Sequence, residues 1–127
     1  MNNDISNVIE PLNKQYGIIQ VPYIFLKLAG DYNTAALLNR IVYLADRATR
    51  DDGFFHKTYD EWQNEMYLSE YQVTRSVKKL KEMNLVETTV KKVDGTPKNH
   101  YKVNFEQLVF QMIKINNKIL LNKSEEN

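Results

Sequence analysis

The sequence predicts an α+β fold that is mainly α-helical. Two helix starts lie close together at Thr58 and Ser69, which predicts two short helices joined by a tight corner. Two runs with alternating apolar residues, 85–93 and 99–105, flank an Asp-Gly dipeptide and predict a β-hairpin. Apolar residues at helical spacing before and after this block predict further helices. With 127 residues, the chain is about one domain long.

The corner is the best-defined local feature. Thr58 and Glu61 have the spacing of a capping box, in which each side chain bonds the backbone N–H of the other residue. Ser69 and Gln72 repeat the pattern, so only a tight turn fits between the two helices. The second helix is expected over residues 70–83. The order helix, corner, lysine-rich helix and hairpin predicts a winged helix-turn-helix in which the hairpin is the wing.

The segments before the corner predict an N-terminal strand-and-helix extension and a core helix. Residues 1–17 are polar and are expected to be a flexible N-terminus, whereas the apolar run 18–21 predicts a short strand. A short helix is expected over 23–28. Asn33 is expected to cap a core helix over 34–49.

Two further segments complete the predicted domain, which spans residues 18–121. Phe54 and Phe55 follow an Asp-Asp-Gly turn and predict a short strand that joins the hairpin as its third strand. A C-terminal apolar helix is expected from about 105 to 121, and residues 122–127 form a polar tail.

The C-terminal helix also predicts an oligomer interface, because it holds more apolar residues than one core-facing stripe requires. Its apolar stripe has a heptad-like spacing of four, three and four residues. The stripe consists of Leu108, Met112, Ile115 and Ile119. Since large exposed apolar patches usually mark association, we expect a homodimer or higher homo-oligomer.

Composition argues against several functional classes. The chain has no cysteine and only two histidines, which lie far apart, so we expect no disulfide, no metal and no cofactor. No segment approaches the roughly 20 apolar residues of a membrane span, and the N-terminus lacks the features of a signal peptide. We therefore expect a cytoplasmic protein with no membrane contact. No Gly-rich phosphate loop, metal motif or nucleophile elbow occurs, so neither an enzyme nor a small-molecule substrate is expected.

Charge is unevenly distributed along the chain. The net charge of +1 does not by itself favour nucleic acid. Residues 51–66 hold five acidic residues and one lysine, whereas residues 70–102 hold eight basic and four acidic residues. A local basic face matters more for attracting phosphate than the total charge does. The second helix and the hairpin are therefore the candidate surface for double-stranded DNA.

The candidate contacts follow from the geometry of helix-turn-helix proteins, whose second helix lies in the DNA major groove. Residues in its first half are placed to read base edges, where Gln pairs with adenine and Arg with guanine. Lysines further along, and basic residues that alternate on the hairpin, are placed to hold phosphates or to touch the minor groove. The expected contacts are Tyr71, Gln72, Arg75, Lys78, Lys79, Lys98, His100 and Lys102.

Alternative interpretations stay open at this point. A helix with basic residues on one side is often only a solvated surface, and winged helices also hold partner proteins. The acidic residues of the helix that begins at Thr58 would repel phosphate, which favours an interaction module that docks replication or host factors. Tyr59, Trp62 and Phe105 are expected in the core and not as ligand-stacking aromatic residues.

Three stretches carry a resemblance to a known family. They are GIIQVPYIFLKLAG, FFHKTYDEWQNEMYLSEYQVTRSVKKLKEMNLVE and VKKVDGTPKNHYKVNF, followed by the apolar helix. In this order they resemble the N-terminal winged-helix domains of DnaD-type primosome proteins and related phage or plasmid replication initiators of low-GC Gram-positive bacteria. The resemblance covers about residues 18–121. It implies DNA binding in replication initiation, contacts with replication proteins, and oligomers built by the N-terminal strand and the flanking helices.

The chain departs from that family in one respect. Replication proteins of this kind usually carry a second, C-terminal domain, whereas this sequence stops at Asn127. It is then either part of a longer protein or a small phage or mobile-element protein that acts as a regulator or inhibitor. Transcriptional regulators share the frame of the second helix, so a repressor of the same fold is an alternative role.

Overall fold

The structure is a computed structural model that describes residues 3–126, with side chains for residues 3–118. Within this range the fold is α+β and mainly helical, as the sequence predicted, with one three-stranded antiparallel sheet. The helices are α1 (Asn3–Tyr16), α2 (Tyr23–Ala29), α3 (Tyr32–Asp46), α4 (Tyr59–Met66), α5 (Glu70–Glu82) and α6 (Phe105–Glu126). The strands are β1 (Phe55–His56), β2 (Val86–Val93) and β3 (Thr96–Val103).

The corner between α4 and α5 forms as expected. Both capping boxes are complete, with Thr58 and Glu61 at the start of α4 and Ser69 and Gln72 at the start of α5. Tyr67 ends α4 in the left-handed conformation, with φ of 55°, and its N–H bonds the last turn of that helix. The two caps and this turn fix where each helix begins and ends.

The sheet has the order β1-β3-β2, so the hairpin and its third strand are both confirmed. β2 and β3 pair from Val86 and Val103 to Val93 and Thr96. Asp94 and Gly95 make the turn with φ of 51° and 80°. Positive φ at both central residues is what a type I′ hairpin turn requires, and Asp-Gly tolerates it.

The core lies between α3, α4, α5 and the sheet. Its largest fully buried apolar side chains are Leu37, Leu38, Ile41, Trp62, Val73, Leu80 and Leu85. Full burial of one such side chain stabilises the fold by about 1.5–3 kcal/mol relative to exposure. This packing holds α5 between α3 and α4 and leaves one face of α5 in solvent.

An aromatic cluster joins α4 to the sheet. The Trp62 ring packs edge-on against Tyr101 and Phe55, with ring centres 5.6 and 6.5 Å away. The indole N–H of Trp62 donates to the Tyr101 hydroxyl at 3.3 Å. Burial raises the pKa of that hydroxyl above its ordinary value, although the hydrogen bond from Trp62 works to lower it. Trp62 and Tyr59 therefore pack in or against the core as expected, whereas Phe105 is 44% exposed and was wrongly assigned to it.

The N-terminal part differs from the sequence predictions in two ways. A helix, α1, spans most of residues 1–17, where a flexible segment was expected, because Ile5, Val8, Ile9 and Leu12 recur at helical spacing. Residues 17–22 form no strand, since no other strand pairs with them in the sheet.

The cap of α3 was also misplaced. Asp31, and not Asn33, caps this helix, because its carboxylate accepts the N–H of Thr34 at 2.7 Å. The helix therefore begins at Tyr32 and not at residue 34. It ends at Asp46, before the predicted residue 49.

Two residues of the predicted oligomer stripe, Leu108 and Met112, pack instead in or against the chain's own core. Leu108 is 3% exposed, while Met112 and Ile115 are half-buried and Met112 packs against the core. Gln111 on the same side donates to the carbonyl of Met83 at 2.8 Å, which fastens α6 to the end of α5. The Ile119 side chain is outside the described residues. Leu108 and Met112 were misassigned because the helix has two apolar faces and sequence spacing does not say which one meets the core.

The end of α6 also differs from prediction. The helix continues to Glu126, through residues that were expected to form a polar tail.

The Trp62–Tyr101 contact makes a prediction about stability. Tyr101→Phe leaves a buried indole N–H without its acceptor, so we expect the free energy of unfolding to fall by about 1–3 kcal/mol. Trp62 is the only tryptophan of the chain, so its fluorescence during urea denaturation reports the transition. The control is Tyr71→Phe, which removes an exposed hydroxyl and should change the value by less than about 0.5 kcal/mol. Equal effects of the two substitutions would contradict the assigned role of the hydrogen bond.

Candidate nucleic-acid interface

One face of α5 is exposed and carries three of the eight candidate contacts. Val73, Val77 and Leu80 turn inward to the core. The opposite face carries the exposed side chains Tyr71, Thr74, Arg75, Lys78, Lys81 and Glu82. With 13 residues α5 is about 20 Å long, and a helix of this kind fits the major groove of B-DNA, which is about 12 Å wide.

A concave surface lies between α5 and the start of α3 and encloses a cavity of about 850 Å³. Tyr32 and Asn33 line it from α3, and Tyr71, Arg75 and Lys78 line it from α5. The sequence did not predict the contribution of α3, because nothing local to residues 31–34 indicates that they lie beside α5. The surface combines aromatic side chains with three cations, Arg75, Lys78 and Lys79, and two carboxylates, Asp31 and Glu82. The cations outnumber the carboxylates, which suits a polyanion with exposed sugar and phosphate groups.

A polar joint holds α5 to the start of α3. Asp31 accepts an ion-paired hydrogen bond from the Lys79 ammonium at 2.8 Å, in addition to capping α3. Beneath this pair, the Thr34 hydroxyl donates to the Ser76 hydroxyl at 3.0 Å. We call these four residues the α3–α5 joint. They set the distance and angle at which the exposed face of α5 stands beside the N-terminus of α3.

The joint changes how two predicted contacts are interpreted. Partial burial works to raise the pKa of Asp31, but hydrogen bonds from Lys79 and Thr34 outweigh it and hold that pKa below its ordinary value. Lys79 is therefore already paired, although an exposed ion pair of this kind is worth only about 0–1 kcal/mol and a phosphate can compete for it. Gln72 is engaged as well, because its side-chain carbonyl accepts the N–H of Ser69 at 2.9 Å. To pair with adenine in two places, Gln72 would have to release the cap.

The structure contradicts the prediction that His100 contacts nucleic acid. Its side chain is 0% exposed, its ring lies 5.4 Å from that of His56, and its Nδ1 is 2.9 Å from the carbonyl of Lys98. Strand alternation correctly set His100 apart from the core side chains of β3. It could not reveal that the opposite side of this residue is also covered.

The two other predicted hairpin contacts are partly covered. Lys98 and Lys102 are half-buried, and the Lys102 ammonium lies 5.6 Å from the centre of the Phe54 ring. Phe54 itself is buried, and its loop is fixed by a hydrogen bond from its N–H to Asp52 at 3.0 Å. That hydrogen bond is the main influence holding the pKa of Asp52 below its ordinary value, with Lys91 and Arg50 adding to it.

The exposed cations of the hairpin are Lys91 and Lys92, near its tip. The Lys91 ammonium is paired with Asp52 at 3.3 Å. Lys92 was missed because the sequence argument considered only the second strand of the hairpin. The position of Lys92 beside the Asp-Gly turn was the signal that could have identified it as a candidate contact.

The acidic residues of α4 are largely paired. The Lys57 ammonium lies 2.6 Å from Glu65 and 3.8 Å from Glu61, and Arg40 bonds Glu65 at 3.1 Å. Glu61 also accepts the N–H of Thr58 in the capping box. These contacts reduce the repulsion that α4 would exert on a nearby phosphate, which had favoured the protein-binding alternative.

Comparisons with protein-family models, with curated proteins and with solved structures gave no match to this chain. The described residues contain no group of three or more side chains suited to hold a metal ion. None of the helices in the described part of the chain is long and apolar enough to cross a membrane.

The α3–α5 joint predicts a pH-dependent coupling. Because the pKa of Asp31 is lower in the folded state than in the unfolded chain, its contribution is present above the ordinary aspartate pKa and is lost as pH falls through the folded value. In a double-mutant cycle of Asp31→Asn and Lys79→Met, we expect a coupling of at most about 1 kcal/mol at pH 7. Asn keeps the capping function, so the cycle isolates the charge pair.

Urea denaturation of the unchanged protein, the two single variants and the double variant, at pH 7 and at pH 3, measures this coupling. It should be smaller at the lower pH, because Asp31 is protonated there in the unfolded state and the contribution of the pair is lost as pH falls through the folded pKa. A coupling of the same size at both pH values would contradict the assignment of the pair.

Proposed function

We propose that the chain binds double-stranded DNA as a winged helix-turn-helix protein, with α5 as the recognition helix and the β2–β3 hairpin as the wing. The observation that carries the proposal is the exposed face of α5, which presents Tyr71, Arg75 and Lys78 on a concave surface beside the start of α3. The order of α4, corner, α5 and hairpin, with β1 as a third strand, supports the same assignment.

The position of each side chain along α5 determines whether we assign it a base contact or a phosphate contact. Tyr71, Thr74 and Arg75 lie in the first half of the helix, where base contacts concentrate in helix-turn-helix proteins. Arg75 has the guanidinium that suits guanine, and Thr74 contacts either a base edge or a thymine methyl group. Lys78 and Lys81 continue along the same face and hold phosphates.

The remaining cations have smaller roles in this proposal. Lys79 reaches a phosphate by exchanging its partner Asp31, and Lys92 at the hairpin tip contacts the adjacent backbone. Lys98 and Lys102 contribute mainly through their charge, since both are half-buried. His100 has no role in binding because it is buried.

We further propose that this DNA binding serves replication initiation in a phage, a plasmid or a bacterial host. That step rests only on the sequence resemblance to DnaD-type domains described above. Transcriptional repression is the alternative use of the same surface, and it differs in the DNA target and not in the physics of binding.

A protein-interaction module is the second candidate function. It is favoured by exposed apolar side chains on the outer face of α6, among them Val109, Phe110 and Ile113. Such a patch is typical of surfaces that dock another protein. Under this alternative the chain would have no meaningful affinity for DNA.

Salt dependence separates the two candidates. We expect binding to a labelled random-sequence duplex, measured by fluorescence anisotropy, to weaken steeply with salt, with a log–log slope of about −0.9 for each phosphate neutralised. Arg75→Ala/Lys78→Ala should weaken binding and reduce the magnitude of the slope by about 2. The folded state should be retained, because both side chains are exposed.

The matched control is Lys114→Ala/Lys118→Ala, which removes two exposed cations from α6. Its slope and affinity should stay near those of the unchanged protein. Absence of binding at the lowest salt would contradict the proposal and favour a protein partner. Equal losses in the two double variants would mean that binding is diffuse and does not use α5.

A further inference from the structure

Two tyrosine rings on the concave surface between α5 and α3 are uncovered. Tyr32 is the first residue of α3 and Tyr71 the second residue of α5, and they are 72% and 73% exposed. Both line the same cavity. Among the described side chains, no ring or cation packs on either of them, whereas Lys cations or Arg cations lie over the exposed rings of Tyr23 and Tyr43. Tyr32 and Tyr71 therefore present open aromatic faces to a ligand.

The backbone beneath each ring is held in place. Asp31, directly before Tyr32, caps α3 and pairs with Lys79 of α5 at 2.8 Å. Ser69 caps α5 two residues before Tyr71. The α3–α5 joint thus fixes the two helix starts relative to each other. Since tyrosine has only two side-chain torsions to order, rings on such a base bind at a low cost in conformational entropy.

The charge of the concave surface is small. Lys79 is neutralised by its partner Asp31. The remaining charged groups that line the surface are Arg75, Lys78 and Glu82, which leave one net positive charge. That balance suits one or two phosphates of a single strand, for which stacking supplies further affinity. Base stacking on aromatic side chains needs no charge, and a guanidinium such as that of Arg75 also stacks on planar rings.

We propose that this concave surface binds a single-stranded stretch of nucleic acid, with bases stacked on Tyr32 and Tyr71 and a phosphate held by Arg75. A base inside a duplex is covered on both faces by its neighbours, so only an unpaired base offers a face to these rings. Two rings suit two bases of a strand better than one free nucleotide. The chain also has no Gly-rich loop to hold the phosphates of a free nucleotide.

This ligand goes beyond the duplex of the proposed function. Tyr71 and Arg75 belong to both surfaces, so duplex and single strand exclude each other on one copy of the chain. Tyr32 belongs to the concave surface alone and is the residue that separates the two ligands. The inference does not rest on duplex binding, because a single strand has no major groove.

Anisotropy of a labelled oligothymidylate of about 15 nucleotides, which forms no duplex, tests the proposal. We expect Tyr32→Ala to weaken binding roughly 5- to 150-fold, the range for loss of one stacked base. Tyr32→Phe keeps the ring and should retain the affinity, which distinguishes stacking from a hydrogen bond of the hydroxyl. The log–log salt slope should be about −0.7 for each phosphate held.

The matched control is Tyr23→Ala. Tyr23 is also the first residue of a helix and is 71% exposed, but it does not line the concave surface. Its replacement should leave the affinity unchanged. All three variants should keep the thermal unfolding transition of the unchanged protein, because both positions are exposed. A comparison with an oligouridylate of the same length identifies the strand as DNA, RNA or both.

The labelled duplex distinguishes a failure of this inference from a failure of the duplex proposal. Tyr32→Ala should leave the duplex affinity unchanged. No binding of the single strand at the lowest salt, or equal losses for single strand and duplex, would overturn the inference and leave duplex binding standing. Single-strand binding that depends on Tyr32, without any duplex binding, would support the inference and contradict the duplex proposal.

Photo-cross-linking reports the stacking itself. Near-ultraviolet light joins a 5-iodouracil base in the strand to an aromatic side chain on which it stacks. We expect cross-links at Tyr32 and Tyr71, located by mass spectrometry. Cross-links confined to tyrosines outside the concave surface, such as Tyr16 or Tyr43, would overturn the proposal.

Discussion

The burial of one side of α5 is the constraint on which the proposed function depends. Val73, Val77 and Leu80 are fixed in the core, so the helix cannot rotate without exposing them. At 3.6 residues per turn their burial leaves Arg75 and Lys78 on the solvent side. The α3–α5 joint adds orientation to this packing, and the Trp62 cluster ties the preceding helix to the sheet. The candidate surface is therefore a consequence of how the core is packed.

Much of the fold could be predicted because its signals are local. A capping box needs only residues three apart, and the Asp-Gly turn needs only the conformational tolerance of two residues. The corner at Thr58–Ser69 and the hairpin were consequently found. What failed depended on distant contacts. His100 is buried because another segment covers β3, and Leu108 is buried because α6 turns that side inward. Neither fact is encoded in the spacing around the residue itself.

The candidate site was predictable where it depends on local spacing and unpredictable where it depends on tertiary packing. The outward residues of α5 follow from its apolar spacing, so Tyr71, Arg75 and Lys78 were correctly expected on an exposed face. The pairing of Lys79 with Asp31 was not predictable, because the two residues are joined only by tertiary packing. α1 was missed for a different reason: the polar composition of residues 3–16 hid a regular apolar spacing.

The central claim is that DNA lies across the outer face of α5 and the hairpin tip. NMR amide shift changes during titration with a duplex test it most directly, since they locate contact residue by residue. We expect the largest changes between Tyr71 and Lys81 and near Lys92, with small changes in α1 and α6. Changes confined to α6, or no changes at saturating duplex, would contradict it.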